Sequence, residues 1–305
     1  MRKNTIIFIL STIVGLYALN YLYDFMIKKD TFNKVWWMNH IHDKNYDFAF
    51  LGNSRVYTMI RTDSLEKKWH QKGINISLDG SNLAQQYMLL YQFLKNGNTV
   101  KDLYLNIDFS NLEGKLDHEL RVWCFLPYIY DDTIYSGIKA CFGNRAFYWR
   151  YIPFYKNIEF NSRIGIFTVG NAIVNLEKKP FNKYGDFTNV SKHKGKIGVS
   201  YPANSIKPKA ENVRQFEKIL AICKEHQIKL HIYTAPMWKE VRDKYLNLPD
   251  IKSNYIVRLA DKYGAEYHDY TNLSIADSAN YFADNTHLNL KGVDAWMKYV
   301  EDFKK

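Results

Sequence analysis

The chain has 305 residues, 47% of them hydrophobic and 16% aromatic, with a formal net charge of +11 at pH 7. That content supplies a substantial core and excludes a disordered chain, which has few aromatics and little to bury. Lys and Arg are scattered, with no basic block, zinc-finger spacing or basic helix, so the charge points to a generally basic surface rather than to nucleic acid as a partner.

The first element is the stretch "TIIFILSTIVGLYALNYLY", Thr5 to Tyr23, which carries no charge. As a helix it rises about 28 Å, close to the ~30 Å thickness of bilayer hydrocarbon. Tyr17, Tyr21 and Tyr23 cluster toward its far end, where aromatic rings suit the headgroup level. The following "YALNYLYDF" makes a poor signal-peptidase site, which favours a retained anchor over a cleaved signal. Arg2, Lys3 and the terminal amine favour a cytoplasmic amino terminus. Residues 1–29 are therefore expected to be a single-pass anchor, meeting the lipid bilayer through residues 5–23. The rest of the chain is then expected to face the periplasm or cell exterior.

Beyond the anchor, strand-like and helix-like segments alternate. "DFAFLG" (47–52), "INISLDG" (74–80), "DLYLNID" (102–108), "KLHIYTAP" (229–236) and "EYHDY" (266–270) read as strands. The segments 82–96, 210–226, 251–264 and 289–303 read as helices, with Gly264 placed as a C-cap. This alternation predicts an α/β fold, a three-layer sandwich with a central parallel sheet covered on both faces. Ligands in such sheets bind beyond the carboxyl ends of the strands. From about 109 to 209 the rhythm breaks. This aromatic-rich stretch is expected to be an insertion in one domain spanning 30–305, helical at first and loop-rich from Lys178 to Lys207.

Some residue groups point away from particular chemistries. Cys124, Cys141 and Cys223 form no C-x-x-C, and whether Cys124 and Cys141 pair is open at this level. "NHIHD" brings His40, His42 and Asp43 together without a third ligand in register, so no metal is expected. There is no phosphate loop, dinucleotide fingerprint or EF-hand pattern, and no cofactor is expected.

Ser54 follows the first buried strand, at the carboxyl edge of the expected sheet. A serine there is by default a helix N-cap. To act as a nucleophile it needs a base, and the base needs an orienting acid. "DNTH" offers both near the carboxyl terminus. A three-residue spacing in a turn sets Asp284 against one nitrogen of His287 and leaves the other for Ser54.

"FLGNSR" resembles the first block of the SGNH (GDSL-like) hydrolase superfamily, and "DNTHLN" resembles its last; the chain order Ser, Asp, His matches as well. The resemblance covers residues 45–108 and 210–305. It implies Ser54 as nucleophile, His287 as general base and Asp284 as its orienter. It also implies an oxyanion hole from the Ser54 amide and Gly80 of "NISLDGSN". The family's third block reads like G-x-N-D, whereas this chain has "LNIDFSN". Asn53, beside Ser54, is the suggested substitute donor. Asp108, Asn111, Trp238 and His268, at or beyond strand ends, are the candidates for substrate contact.

With its single anchor the chain looks like the cell-envelope branch, which works on O-acetylation or deacetylation of exported polysaccharides or on teichoic-acid D-alanylation. The implied function is an extracytoplasmic acyl-ester hydrolase or O-acyltransferase. Its implied partners are an envelope glycan and a membrane acyl-donor protein. The alternative is a non-catalytic envelope protein of the same fold that binds glycan or a partner acyltransferase, which the irregular third block favours.

Overall fold

A computed structural model of the chain describes residues 2–114, 116, 119–174, 179–192, 197–198 and 202–304. Two compact units are present, one formed by Met1–His40 with Asp117–Lys179 and one by Ile41–Leu116 with Pro180–Lys305.

The larger unit is built on five parallel strands in the order β2-β1-β3-β4-β5. They are β1 (Asn45–Leu51), β2 (Gly73–Asn75), β3 (Thr99–Asn106), β4 (Lys229–Thr234) and β5 (Glu266–Asp269). The inner ends of β1 and β3 are buried without interruption, as strands covered on both faces must be. Phe48, Phe50, Tyr104 and Tyr233 share one face. They pack with Val56, Met59 and Leu65 and with Val293, Trp296 and Val300 of the carboxyl-terminal helix Leu290–Val300. Alternate residues such as Ala49, Leu51, Leu103 and Leu105 point to the opposite face. On that side the helix Ala210–Glu225 packs against both the helix Leu83–Lys95 and β4. The fold is the three-layer α/β sandwich that the alternation predicted.

Two details depart from the reading of the sequence. β2 has only three ladder residues and then runs on beside β1 through Ile76 N–H to Phe50 O and Leu78 N–H to Gly52 O. The segment 251–264 begins as a wide π-type turn over Lys252–Val257 before becoming an α-helix, and Gly264 closes it at φ +69° as expected.

The smaller unit holds the apolar amino-terminal helix, Arg2–Lys28, the one helix among the described residues long and apolar enough to cross a membrane. Its outward side chains are large and exposed along Ile6–Leu22, while Asn20, Asp24 and Ile27 are buried on the face that meets the rest of the unit. The Lys156 ammonium and the Asp24 carboxylate form a fully buried ion pair at 2.8 Å. The aromatic stretch is thus divided rather than continuous. Residues 119–174 belong with the amino-terminal helix, held by pairs such as this one. Residues from Pro180 belong with the sheet, where Asp186 accepts hydrogen bonds from Thr62 N–H and Thr62 Oγ1, both at 2.7 Å. Part of the expected loop-rich stretch 178–207 lies outside the described residues. Cys124 is a buried thiol whose sulfur accepts from Asn33 Nδ2, and it is not bridged to Cys141.

Candidate active site

β1 delivers its chain into a tight turn at Gly52-Asn53. A Cβ on Gly52 would overlap the Val56 side chain, so only glycine lets the following helix, Ser54–Met59, start this close to the strand. The N-cap of that helix is Asn53, whose Oδ1 accepts from Arg55 N–H at 3.0 Å. Ser54 is the first helical residue. Its hydroxyl is therefore not used as the cap that the default reading assigned to it.

The partner of Ser54 comes from the loop before the carboxyl-terminal helix. Phe282 and Leu288 anchor this loop in the core and pair across it as an isolated antiparallel bridge. Asn289 caps the next helix by accepting from Gly292 N–H, and a Cβ on Gly292 would collide with the Tyr281 carbonyl. Between these fixed points the Asp284 carboxylate accepts from Thr286 N–H and His287 N–H, both at 2.8 Å, which makes a tight Asx turn. The same carboxylate meets His287 Nδ1 at 2.8 Å, and His287 Nε2 lies 2.8 Å from Ser54 Oγ. Partial burial opposes ionisation of Asp284. The hydrogen bonds from His287 and the Thr286 backbone outweigh it and hold the carboxyl well below the ordinary carboxylate range. An ionised Asp284 favours the tautomer in which Nδ1 carries hydrogen and Nε2 accepts from the serine hydroxyl.

The residue missing from the sequence reading is Arg55. Its guanidinium is buried, pairs with Asp108 Oδ1 and donates to the carbonyls of Ala235, at 3.0 Å, and Pro236. Asp108 also accepts from Asn53 Nδ2 at 2.6 Å and from Asn106 Nδ2 at 3.1 Å. The carboxylate in the irregular third block is therefore neutralised and fully occupied, rather than left facing developing negative charge. A signal was present: Arg55 and Asp108 follow adjacent strands, so opposite charges sit side by side at one sheet edge.

This network decides where several expected residues go. Asn53 is engaged at both ends of its amide: Oδ1 accepts from Arg55 N–H and Nδ2 donates to Asp108 Oδ2, and the side chain lines the cleft beside Ser54. Asn111 accepts from Asp108 N–H at 3.1 Å and serves the start of the helix Phe109–Glu113. Gly80 sits at φ +63° in the loop after β2, which is tied to the turn before Ser54 by Leu78 N–H to Gly52 O at 3.1 Å and by Ser81 Oγ.

Above Ser54 lies a cleft of about 160 Å³, lined by Asn53, Arg55, Asp108, Ser110 and Thr286 on its polar side and by Met237, Val241 and Tyr245 on its apolar side. Of the expected contact residues only Asp108 lines it. Trp238 is 5% exposed and packed in the core with Val241 and Trp296, so it offers no face to a sugar. His268 is half exposed on the edge strand β5, stacked on Tyr270 and away from the cleft. The cleft lies beyond the carboxyl ends of β1 and β3, where the strand order reverses direction, the place that open parallel sheets reserve for ligands.

No family model matches the chain, and no curated protein matches it. Among solved structures it is similar to a protein from Streptococcus pneumonia provisionally named a platelet activating factor, at 14% identity and a TM-score of 0.45, covering 96% of this chain and 98% of that one. It is also similar to a protein from Bacteroides fragilis provisionally named an acylhydrolase, at 11% identity and a TM-score of 0.40, covering 85% of this chain and 86% of the other. A GDSL-like lipase from Bacteroides thetaiotaomicron is similar at 10% identity and a TM-score of 0.38, with 85% of this chain and 88% of that one covered.

Proposed function

We propose that the chain is a membrane-anchored serine acyl-ester hydrolase or O-acyltransferase of the SGNH (GDSL-like) kind, acting on short acyl groups of a cell-envelope polysaccharide outside the cytoplasm. The observation that carries this reading is the unbroken line from Asp284 through His287 to Ser54, with both links at 2.8 Å.

In this mechanism His287 Nε2 takes the Ser54 proton as Oγ attacks the acyl carbonyl. The charge developing on the carbonyl oxygen is met by the Ser54 and Gly80 amides, and losing one such donor costs about 3 kcal/mol. His287 then protonates the departing alkoxide, leaving Ser54 acylated. A second hydroxyl, from water or from a sugar, gives its proton to His287 and attacks the acyl-serine, which restores the enzyme. Asp284 stays ionised throughout and stabilises the imidazolium. The Arg55–Asp108 pair forms a neutral wall, so Asp108 does not oppose the oxyanion. The small apolar end of the cleft at Met237, Val241 and Tyr245 favours acetyl over long acyl chains. The amino-terminal helix, with Arg2 and Lys3 at its cytoplasmic end, keeps the site near envelope substrates and raises their effective concentration.

The test is turnover of p-nitrophenyl esters by the full chain in detergent. Acetate should be cleaved with a burst of one acyl group per active site and octanoate much more slowly. Retention of that burst in Ser54→Ala would overturn the nucleophile assignment. Mass spectrometry of an envelope glycan incubated with an acetyl donor then separates transfer, which adds acetyl groups, from hydrolysis, which removes them. A Ser54→Ala chain that binds glycan normally and still complements a deletion would favour the non-catalytic reading.

A further inference from the structure

We propose that the amino-terminal unit carries a second membrane contact, an apolar and aromatic surface on residues 147–174 that rests in the lipid interface beside the spanning helix. This rests on the reading of Arg2–Lys28 as a membrane span and adds to it a surface outside the span.

Three observations carry it. The first is exposure. Ile158 is 76% and Phe167 82% exposed, and Phe147, Tyr151, Ile152 and Ile173 are also open to solvent. In the sheet unit, by contrast, Leu246 is the only large hydrophobic exposed among the described residues. A folded unit does not ordinarily leave so contiguous an apolar area to water.

The second is position along the amino-terminal helix. Tyr17 OH donates to Tyr151 O at 2.5 Å, the Asn20 side chain accepts from Phe154 N–H at 2.8 Å, and Asp24 holds Lys156. These three helix residues share one face and fix 151–156 against the last two turns of the apolar run. At ~1.5 Å per residue those turns cover roughly 10 Å, the depth of the boundary between headgroups and acyl chains. The attached surface is thus held at the level where a bilayer containing the helix would end.

The third is chemistry. The exposed groups are tyrosine, phenylalanine and isoleucine, the mixture suited to an interface that is apolar on one side and wet on the other. The segment Ile166–Val174 carries no charge and packs directly on the amino-terminal helix. Exposed Lys139 and Arg163 on the same unit can meet lipid phosphates. The amino-terminal unit is then held at the membrane by two contacts rather than by one helix.

The test uses the full chain in vesicles of phosphatidylcholine and phosphatidylglycerol, with Cys141→Ser as background and a nitroxide attached singly at Val14→Cys, Ile158→Cys, Phe167→Cys or Leu246→Cys. Relaxation by oxygen, which concentrates in lipid, is compared with relaxation by a water-soluble nickel complex. Ile158 and Phe167 should read as lipid-exposed but shallower than Val14, with the ratio inverted at Leu246. Water-exposed labels at Ile158 and Phe167 with a deep label at Val14 would overturn this inference and leave the span intact. A water-exposed Val14 label would overturn the span itself. Labels at 158 and 167 shielded from both relaxants, with broadening from a nearby second label, would overturn it in favour of a face covered by another copy of the chain.

Discussion

The two units each bury an ion pair, and the comparison separates a structural use from a functional one. In the amino-terminal unit Asp24 and Lys156 meet at 2.8 Å with essentially no exposed side-chain surface. In the sheet unit Arg55 and Asp108 meet at a similar depth, but they line a cleft and share their hydrogen bonds with Asn53, Asn106 and two backbone carbonyls. The first pair joins two chain segments 132 residues apart and touches nothing reactive. The second surrounds Ser54 and sets the charge of its surroundings. A buried pair is weak evidence of net stability, because desolvation cancels much of the attraction. What each pair fixes is geometry: a helix crossing in one unit, the turn that carries Ser54 in the other.

The largest expected effect lies in the sheet unit. Ser54→Ala should lower ester turnover by about 10⁶-fold, and Ser54→Ala combined with His287→Ala should be no worse, because residues acting as a unit are not additive. Equal and additive losses, read from kcat, would break the assignment of a shared mechanism.

Next comes the removal of one partner from each buried pair. Asp24→Ala leaves an unpaired Lys156 and should cost about 3–5 kcal/mol. The loss should appear as faster hydrogen exchange in residues 1–40 and 119–174. Arg55→Ala should cost a similar amount and also slow acylation of Ser54, because Asp108 is left uncompensated in the cleft. Adding Asp108→Asn should restore part of the rate, and a double-mutant cycle on acylation would measure that coupling. Coupling near zero would reduce Arg55–Asp108 to the purely structural role of its counterpart.

A smaller effect, about 1–3 kcal/mol, is expected for Gly292→Ala, whose Cβ would push the Tyr281 carbonyl and the loop bearing His287. Urea unfolding checks the stability, and the acylation rate reports any displacement of His287. The smallest effect concerns pH. Asp284 is held below its ordinary range, so it adds stability above the unfolded carboxylate pKa of about 4 and loses that contribution as pH falls toward its own lower value. Asp284→Asn should therefore flatten the acid limb of stability against pH, measured by unfolding from about pH 5 downward. The change should be modest, since the side chain is half exposed and screened by solvent.

Much of the sheet unit was legible in the chain because its signals are local and periodic. Strands such as β1 carry continuous apolar runs, here Phe48–Leu51, and Asp284 and His287 are three residues apart, so a turn alone brings them together. Their approach to Ser54 across 233 residues followed from both lying at one edge of an alternating α/β fold. Three things were not legible. Asn53 rather than Ser54 caps the helix, a choice between two adjacent cap-forming residues that depends on one ψ angle. Trp238 reads in sequence as either a core ring or a sugar platform, with the core the better default, and only the packing decides that its ring fills the core. The division of the aromatic stretch rests on Asp24–Lys156 and Thr62–Asp186, which are contacts between distant segments and leave no period in the sequence. The Arg55–Asp108 pair lies between these cases: adjacency of β1 and β3 makes it readable, but only once the sheet order is known.

The most direct test of the account is the state of the Ser54 hydroxyl. The full chain, in detergent, is treated with a fluorophosphonate probe and the adduct located by mass spectrometry. An activated serine predicts a single adduct on Ser54 that is lost in His287→Ala and in protein unfolded before treatment. An unlabelled Ser54 in folded protein, or labelling unaffected by His287→Ala, would contradict the claim that the line from Asp284 through His287 makes Ser54 a nucleophile.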